Sequence, residues 1–288
     1  MIAIPEATAE TVKVRKKQKV RRKIIVNAIA YSFIAIYVFP LYWIIASSLK
    51  RPGDLFSYPI KLFPSPITFS NYTNAWNSTD FPLYIRNTFF VAVVATTLIV
   101  LLSLMCGYAL AIYKYKWMSI IFMCIISTSM LPTEVIMNSV MHVVRGVGLY
   151  DNLWGIIIPV LGSSSNILIA RQFFITVPSS IMESARLEGA SELSIFFRLM
   201  LPLAKPTIFV ITIFSFRSRW NSYVWPLIAL SDPKKNTIQV ALRNLVGAES
   251  IDWSLLLSAT AISIIPMFII FLIFQKYIFG EDASVGIK

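Results

Sequence analysis

Histidine and cysteine are nearly missing from this sequence. A single imidazole, His142, excludes a histidine-based metal cluster, and no Ser, His and Asp assemble into a plausible catalytic triad. The two cysteines, Cys106 and Cys124, both lie in apolar segments, where they read as packing residues rather than a disulfide or a metal site. No G-x-x-x-x-G-K-S/T run occurs, so the chain cannot bind and hydrolyse ATP through a phosphate loop, and any energy source must sit on a partner. Acidic residues are scarce too, 14 against 26 Lys and Arg. What is abundant is apolar: 57% of the 288 residues are hydrophobic and the mean hydropathy is +0.70, too apolar for a soluble domain of this length. The chain reads as one all-α polytopic membrane domain, without internal repeat, low-complexity tract or separate soluble domain.

The net charge of +12 raises nucleic acid as a partner, but its placement argues against that. Eight of the 26 Lys and Arg lie between Lys13 and Lys23, directly before the first apolar segment, and no soluble domain follows. Residues 1–23 are expected to be a poorly ordered basic tail that anchors the cytoplasmic side under the positive-inside rule and is attracted to anionic lipid. A cleaved signal peptide does not fit, because the apolar run behind the tail is too long and lacks a small-residue cleavage site.

Six apolar spans are expected within residues 24–288. The first runs from Ile24 to Ser48, enough to cross about 30 Å of hydrocarbon as a helix, with Pro40 near its outer end. An external loop from Lys50 to Phe81 carries a short surface helix around Asn71–Trp76. The second span covers Pro82–Tyr113 and the third Trp117–Val144, with Pro132 and Glu134 inside it. The fourth, Leu153–Phe174, contains Gly162-Ser-Ser-Ser-Asn166, polar enough to face other helices or a cavity. The fifth runs from Pro206 to Leu230 and the sixth from Leu255 to Ile278, after an external loop over Ser231–Trp253. With both termini inside, 16 Lys and Arg fall on the cytoplasmic side, 8 outside and 2 within the fifth span. That bias places residues 178–203 in the cytoplasm.

Those residues form a charged island between apolar segments. Ser180 with Glu183 matches a capping box, so a short helix is expected to start near Ile181. Gly189 suits the left-handed turn that ends it, and a second helix should run from Ser191 towards Leu199, stopped by Pro202 and Pro206. An amphipathic loop resting on lipid headgroups is the plainer alternative. The spacing of Glu183, Ala185, Gly189, Leu199, Leu201 and Pro202 resembles the "EAA" loop of permease subunits of binding-protein-dependent ABC importers, with Ser184 in place of an alanine and Leu199 in place of an isoleucine. The resemblance implies a MetI-like permease fold in the bacterial cytoplasmic membrane. It also implies that Ser180, Glu183, Ala185, Gly189, Leu199, Leu201 and Pro202 form a coupling hairpin that docks on a cytoplasmic ATPase.

Charges at membrane depth cost about 2.5–3.5 kcal/mol even on permissive insertion scales, so they default to functional roles. Arg217, Arg219 and Glu134 qualify, and Asn166 belongs to the polar stretch of the fourth span. Two residues apart on a helix is about 200°, so the two arginines cannot share a face. Two readings stay open: one arginine pairs with Glu134 structurally and the other snorkels outward, or Arg217, Trp220, Asn221 and Tyr223 line a translocation cavity for a sugar bearing a carboxylate or phosphate. Arg219-Trp-Asn-Ser-Tyr-Val-Trp-Pro-Leu227 is similar to the Trp-Asn-x-(Phe/Tyr)-x-Trp-Pro-Leu signature of maltose-type carbohydrate permeases. Gly148-Leu149 with Asp151, and Gln275-Lys276-Tyr277, match that family as well. The paired arginines depart from its commoner pattern and point away from a neutral maltodextrin.

The resemblance implies a transport subunit rather than an enzyme, forming half the pathway of an ATP-driven carbohydrate importer, with acidic oligosaccharides or sugar and polyol phosphates as solutes. Expected partners are a second homologous permease, two ATPase subunits carrying ATP and Mg, an extracytoplasmic solute-binding protein, the carbohydrate and membrane lipid. No cofactor or metal is expected on this chain. Permeases for amino acids or polyamines share the Glu183 motif, and an ion-coupled secondary transporter using Glu134 and the arginines, or a scaffold without a pathway, are the readings from other classes.

Overall fold

A computed structural model describes residues 9–77, 80–246 and 251–279. The helices in order are α1 (Ala9–Ser48), α2 (Ser70–Asn77), α3 (Phe81–Ile112), α4 (Lys116–Thr128), α5 (Thr133–Gly146), α6 (Leu153–Ile157), α7 (Ser164–Thr176), α8 (Ser179–Leu187), α9 (Glu192–Ile195), α10 (Leu201–Leu203), α11 (Lys205–Trp220), α12 (Val224–Ala229), α13 (Ile238–Asn244) and α14 (Trp253–Phe279). No strand occurs among the described residues beyond one isolated bridge, Val246 to Ile251. The chain divides into two compact units, one of residues 1–72 with 253–261, the other of residues 73–252 with 262–288.

In the first unit, α1 begins earlier than expected. It runs back through the basic stretch to Ala9 because no Gly or Pro interrupts residues 9–39. Pro40 lies within this helix, and its apolar part from Ile24 to Phe39 is exposed. Its end is fastened: the buried Asn71 donates from Nδ2 to the carbonyls of Ser48 (2.8 Å) and Lys50 (2.7 Å), and Ser258 donates to the carbonyl of Asn71 (3.1 Å).

In the second unit α3 is the spine, packed against α7 and α11. The α3/α7 seam uses small residues, as helices in lipid do when backbones approach closely. A Cβ built on Gly107 would lie 2.5 Å from Ala170 Cβ and 2.7 Å from the Arg171 backbone nitrogen, so only glycine fits. Against α11, Ala92 meets Phe216 and Trp220.

Three expected spans are broken, and the sequence accounts for each break. The third bends by 104° between α4 and α5. Ser127, Thr128 and Ser129 hydroxyls turn back onto the carbonyls of Met123, Ile125 and Ile126 at 2.6–2.8 Å, and Pro132 cannot continue the ladder. The fourth bends by 45° before α7, whose N-cap Ser163 accepts from the Asn166 amide at 3.4 Å. The fifth stops at Trp220: α11 has 16 residues, about 24 Å long, because a continuous helix would set the Pro226 ring against the Ser222 carbonyl. Among the described residues three helices are long and apolar enough to cross a membrane, or up to six if each bent pair counts as one span.

The loop after α12 is also more structured than an external connection need be. Asn87, buried on α3, donates to the carbonyls of Lys234 (2.9 Å) and Asn236 (3.1 Å), and Thr88 Oγ1 accepts from the Ile238 amide at 2.8 Å. Asp151, in the left-handed region at φ 53, accepts on Oδ1 from the amides of Ser231 (2.9 Å) and Asp232 (3.0 Å), and on Oδ2 from Lys235 Nζ (2.7 Å). The Asp232 amide, then Lys235 and the Ser231 amide, hold the Asp151 carboxyl down to about 2. A carboxyl depressed in this way contributes stability above its unfolded value of about 3.9 and loses it as pH falls through the folded one.

Two outcomes are expected. Gly107→Ala should cost about 1–3 kcal/mol and lower the melting temperature of the purified protein, and Gly107→Leu should abolish monodisperse protein in size-exclusion chromatography. Asp151→Asn, which keeps tolerance of positive φ, should cost about 1 kcal/mol near neutral pH after solvent screening. In thermal melts across pH, its gap from wild type should close between pH about 4 and about 2.

Candidate functional site

The helix breaks gather polar atoms around a cavity of about 560 Å³, in the size range of small-molecule pockets. Thr128, Ser129, Ser163, Ser165, Asn166 and Ser218 are among its lining residues, and Arg219 is the charged one. The expectation for Gly162-Ser-Ser-Ser-Asn166 therefore holds: all five residues line this cavity. Asn166 is buried and donates from Nδ2 to Ser215 Oγ at 3.0 Å, which fixes its amide across from α11. A second cavity of about 280 Å³ is lined by Glu134, Ser222, Trp225 and again Arg219, so the arginine is a wall common to both.

Arg219 is half-buried. One guanidinium nitrogen donates to Ser218 Oγ at 2.8 Å, while Nε is fully buried with no hydrogen-bond partner. The ion pair with Glu134 expected as one reading does not form, although both residues line the second cavity. The other expected pathway residues divide differently from the sequence reading. Arg217 is exposed and lines neither cavity. Trp220 is only 1% exposed; its Nε1 donates to the Ser263 carbonyl at 3.0 Å and its ring stacks on Phe216, so it packs α11 on α14 rather than facing a cavity. Asn221 caps α11 and Tyr223 precedes α12; neither borders these two cavities.

The second site is the hairpin from α8 to α10. Gly189 adopts φ +81, as its turn requires. The capping box does not form: Pro178, fixed at φ −58 and ψ 131, sets the helix start, and Ser180 lies inside α8. The second arm starts on Ser191, whose hydroxyl accepts from the Ser194 amide at 3.3 Å, and passes through a π-turn over Phe196–Met200 into α10. Pro202 does not stop the run; it occupies the first turn of α10, and the chain turns at Ala204 by 79° into α11. Met182 and Ala185 root α8 in the core, while Glu183 is exposed and Leu187 is 90% exposed. Leu199 and Leu201 pack against that core.

The carboxylate that holds the hairpin is Glu192. Its two oxygens accept from Arg186 Nε (2.7 Å) and a terminal nitrogen (3.2 Å), and Oε2 also accepts from the hydroxyls of Tyr113 (3.0 Å) and Tyr108 (3.4 Å). The Arg186 hydrogen bonds, with help from the two phenols, keep the Glu192 carboxyl below the usual carboxylate range. Both arms of the hairpin are thereby tied to the end of α3.

Residues 103–279 match the family described as the inner membrane component of binding-protein-dependent transport systems. The chain belongs to this family. The permease is 32% identical over 258 residues to the arabinooligosaccharides transport system permease protein AraQ of Bacillus subtilis (strain 168), covering 88% of this chain and 91% of that one. It is 27% identical over 252 residues to the sn-glycerol-3-phosphate transport system permease protein UgpE of Yersinia pestis bv. Antiqua (strain Antiqua), covering 85% and 90%. Among solved structures, a chain of a bacterial ABC transporter involved in the import of the acidic polysaccharide alginate superposes with a TM-score of 0.82 at 25% identity, over 95% of this chain and 99% of that one. The permease is thus a multi-pass transport subunit of the inner membrane.

Sequence reasoning missed Glu192 as the hairpin anchor and the hydroxyls of Thr128 and Ser129 as cavity lining. The first had a signal in Glu192 following the cap residue Ser191; the second in three consecutive hydroxyl residues, 127–129, just before Pro132. Glu192→Ala in the permease should release the arms from α3, at about 1 kcal/mol for a half-exposed ion pair. Amide exchange at Ile195–Met200 should then run roughly fivefold faster by hydrogen-exchange mass spectrometry.

Proposed function

We propose that this permease forms half of the translocation pathway of an ATP-driven carbohydrate importer, beside a second homologous permease. Two ATPase subunits carry ATP and Mg, and an extracytoplasmic binding protein delivers the solute. Both termini and the hairpin over residues 178–203 face the cytoplasm, in keeping with the distribution of Lys and Arg. The solute class follows the relatives, whose names give arabinooligosaccharides, sn-glycerol-3-phosphate and alginate.

The observation that carries the reading is the two-faced hairpin. Its inner side, Met182 and Ala185, is buried, and Glu192 fastens it to α3, so a push on the hairpin moves the helix spine as a body. Its outer side presents Glu183 and Leu187, exposed and suited to a groove on the ATPase. Closure of the nucleotide dimer would turn the helices outward around the cavity, and hydrolysis would reset them.

Glu183→Lys tests this directly, because the exposed side chain can change without disturbing the fold. The variant should melt like wild type, yet lose ATP-driven uptake in proteoliposomes by at least about tenfold, the scale of a like-charge contact in an interface. Wild-type uptake would sink the docking role of Glu183. Gly189→Val, strained at φ +81 while its Cβ enters open space, should insert normally and uncouple hydrolysis from transport.

A further inference from the structure

We infer that Arg219 is the anion subsite of the translocation cavity: its guanidinium receives a carboxylate or phosphate of the solute, between the α4–α5 break and the N-terminus of α7. The inference rests on the importer reading and adds to it the residue that selects charge.

Burying a guanidinium is costly unless its donors and its charge find partners. Arg219 has one serine hydroxyl, a fully buried Nε without a partner and, among the described residues, no carboxylate in ion-pair range; Glu134 lines the second cavity with it but forms no ion pair. The indole of Trp225 lines that second cavity as well, and its buried Nε1 also lacks a partner. The two side chains therefore line one space with a donor buried behind each, next to a larger cavity, also lined by Arg219, whose lining offers hydroxyls from Ser129, Ser163, Ser165 and Ser218. Hydroxyls and an amide suit sugar hydroxyls, and a planar guanidinium suits the two oxygens of a carboxylate or phosphate. Glu134 gives this arrangement a direction. It stands on the second cavity only, so an anion is favoured on the side of Arg219 that faces the serines. Arg217, two residues earlier on α11, lines neither cavity and cannot serve.

The test uses the complete transporter, with its binding protein, in proteoliposomes with ATP inside, and measures uptake of tetramannuronate, sn-glycerol-3-phosphate and arabinotriose by wild type, R219Q, R219K and R217Q. R219Q should lower uptake of whichever acidic solute wild type carries by roughly ten- to a hundredfold, the loss of charge-assisted hydrogen bonds. Arabinotriose uptake should fall clearly less, because a neutral sugar offers no charge for the guanidinium to pair, and R219K should recover part of the acidic uptake. Equal loss for acidic and neutral solutes, as an acidic residue of the second permease pairing with Arg219 would give, overturns the inference. So do loss of acidic uptake of the same size in R217Q, unchanged acidic uptake in R219Q, and a wild type that carries arabinotriose alone. A wild type that moves none of the three solutes despite ATP hydrolysis overturns the carbohydrate reading itself. If R219Q fails to assemble, R219K decides: a larger loss for the acidic solute than for arabinotriose, as expected when a bidentate guanidinium becomes a point charge, supports the inference, and equal loss or no loss for both overturns it.

Discussion

Hydrocarbon offers no water to a peptide group, so every backbone N–H and C=O in the membrane has to be answered from within the protein. Most of this permease answers with uninterrupted helix, as in α3 and α14. The exceptions are informative because each has to be compensated locally. Where α4 stops, three hydroxyls fold back on its last carbonyls; where α7 starts, Ser163 takes up an orphan amide. Three of the residues that satisfy broken helices, Thr128, Ser129 and Ser163, also line the polar hollow. Irregular backbone at depth is tolerated where it lines a cavity, and here the cavity is a by-product of terminating helices.

The second organising element is α3. It is squeezed against α7 through Gly107, holds α11 through Ala92, orders the loop after α12 through Asn87 and Thr88, and reaches the hairpin through Tyr108 and Tyr113. Tyr108 also packs edge-on to Phe174 and tilted on Phe196, with centroids 5.5 and 5.3 Å apart. One helix therefore touches both the cavity wall and the hairpin, a short mechanical path between a soluble contact and a membrane-embedded one.

Much of this was legible in the sequence, for reasons that differ by residue. Gly189 was legible because a left-handed turn has few other solutions, and the polar stretch from Gly162 to Asn166 because hydroxyls and an amide in an apolar segment need a use. The ends of α3 and the helix around Asn71–Trp76 followed from apolar length and local propensity. The breaks were not read, since hydropathy counts apolar residues without asking whether Pro132 or Pro226 lets them share one axis. The choice between the arginines also escaped. Two residues apart, they had to face differently, but which faced the cavity depended on the rotation of α11, and that is set by Trp220 burying its indole against α14. A tryptophan beside an asparagine suggested a cavity wall, whereas its buried N–H found a backbone carbonyl instead. Ser180 failed as a cap because Pro178 had already fixed where the helix begins.

The contact between Gly107 and Ala170 leaves no room for a side chain. Every codon change away from glycine introduces the same first atom, a Cβ, and that atom collides with backbone as well as side chain. Any such change would require the spacing of the two helices to be rebuilt. Position 107 therefore sets how close α7, the helix that carries Asn166, can stand to α3.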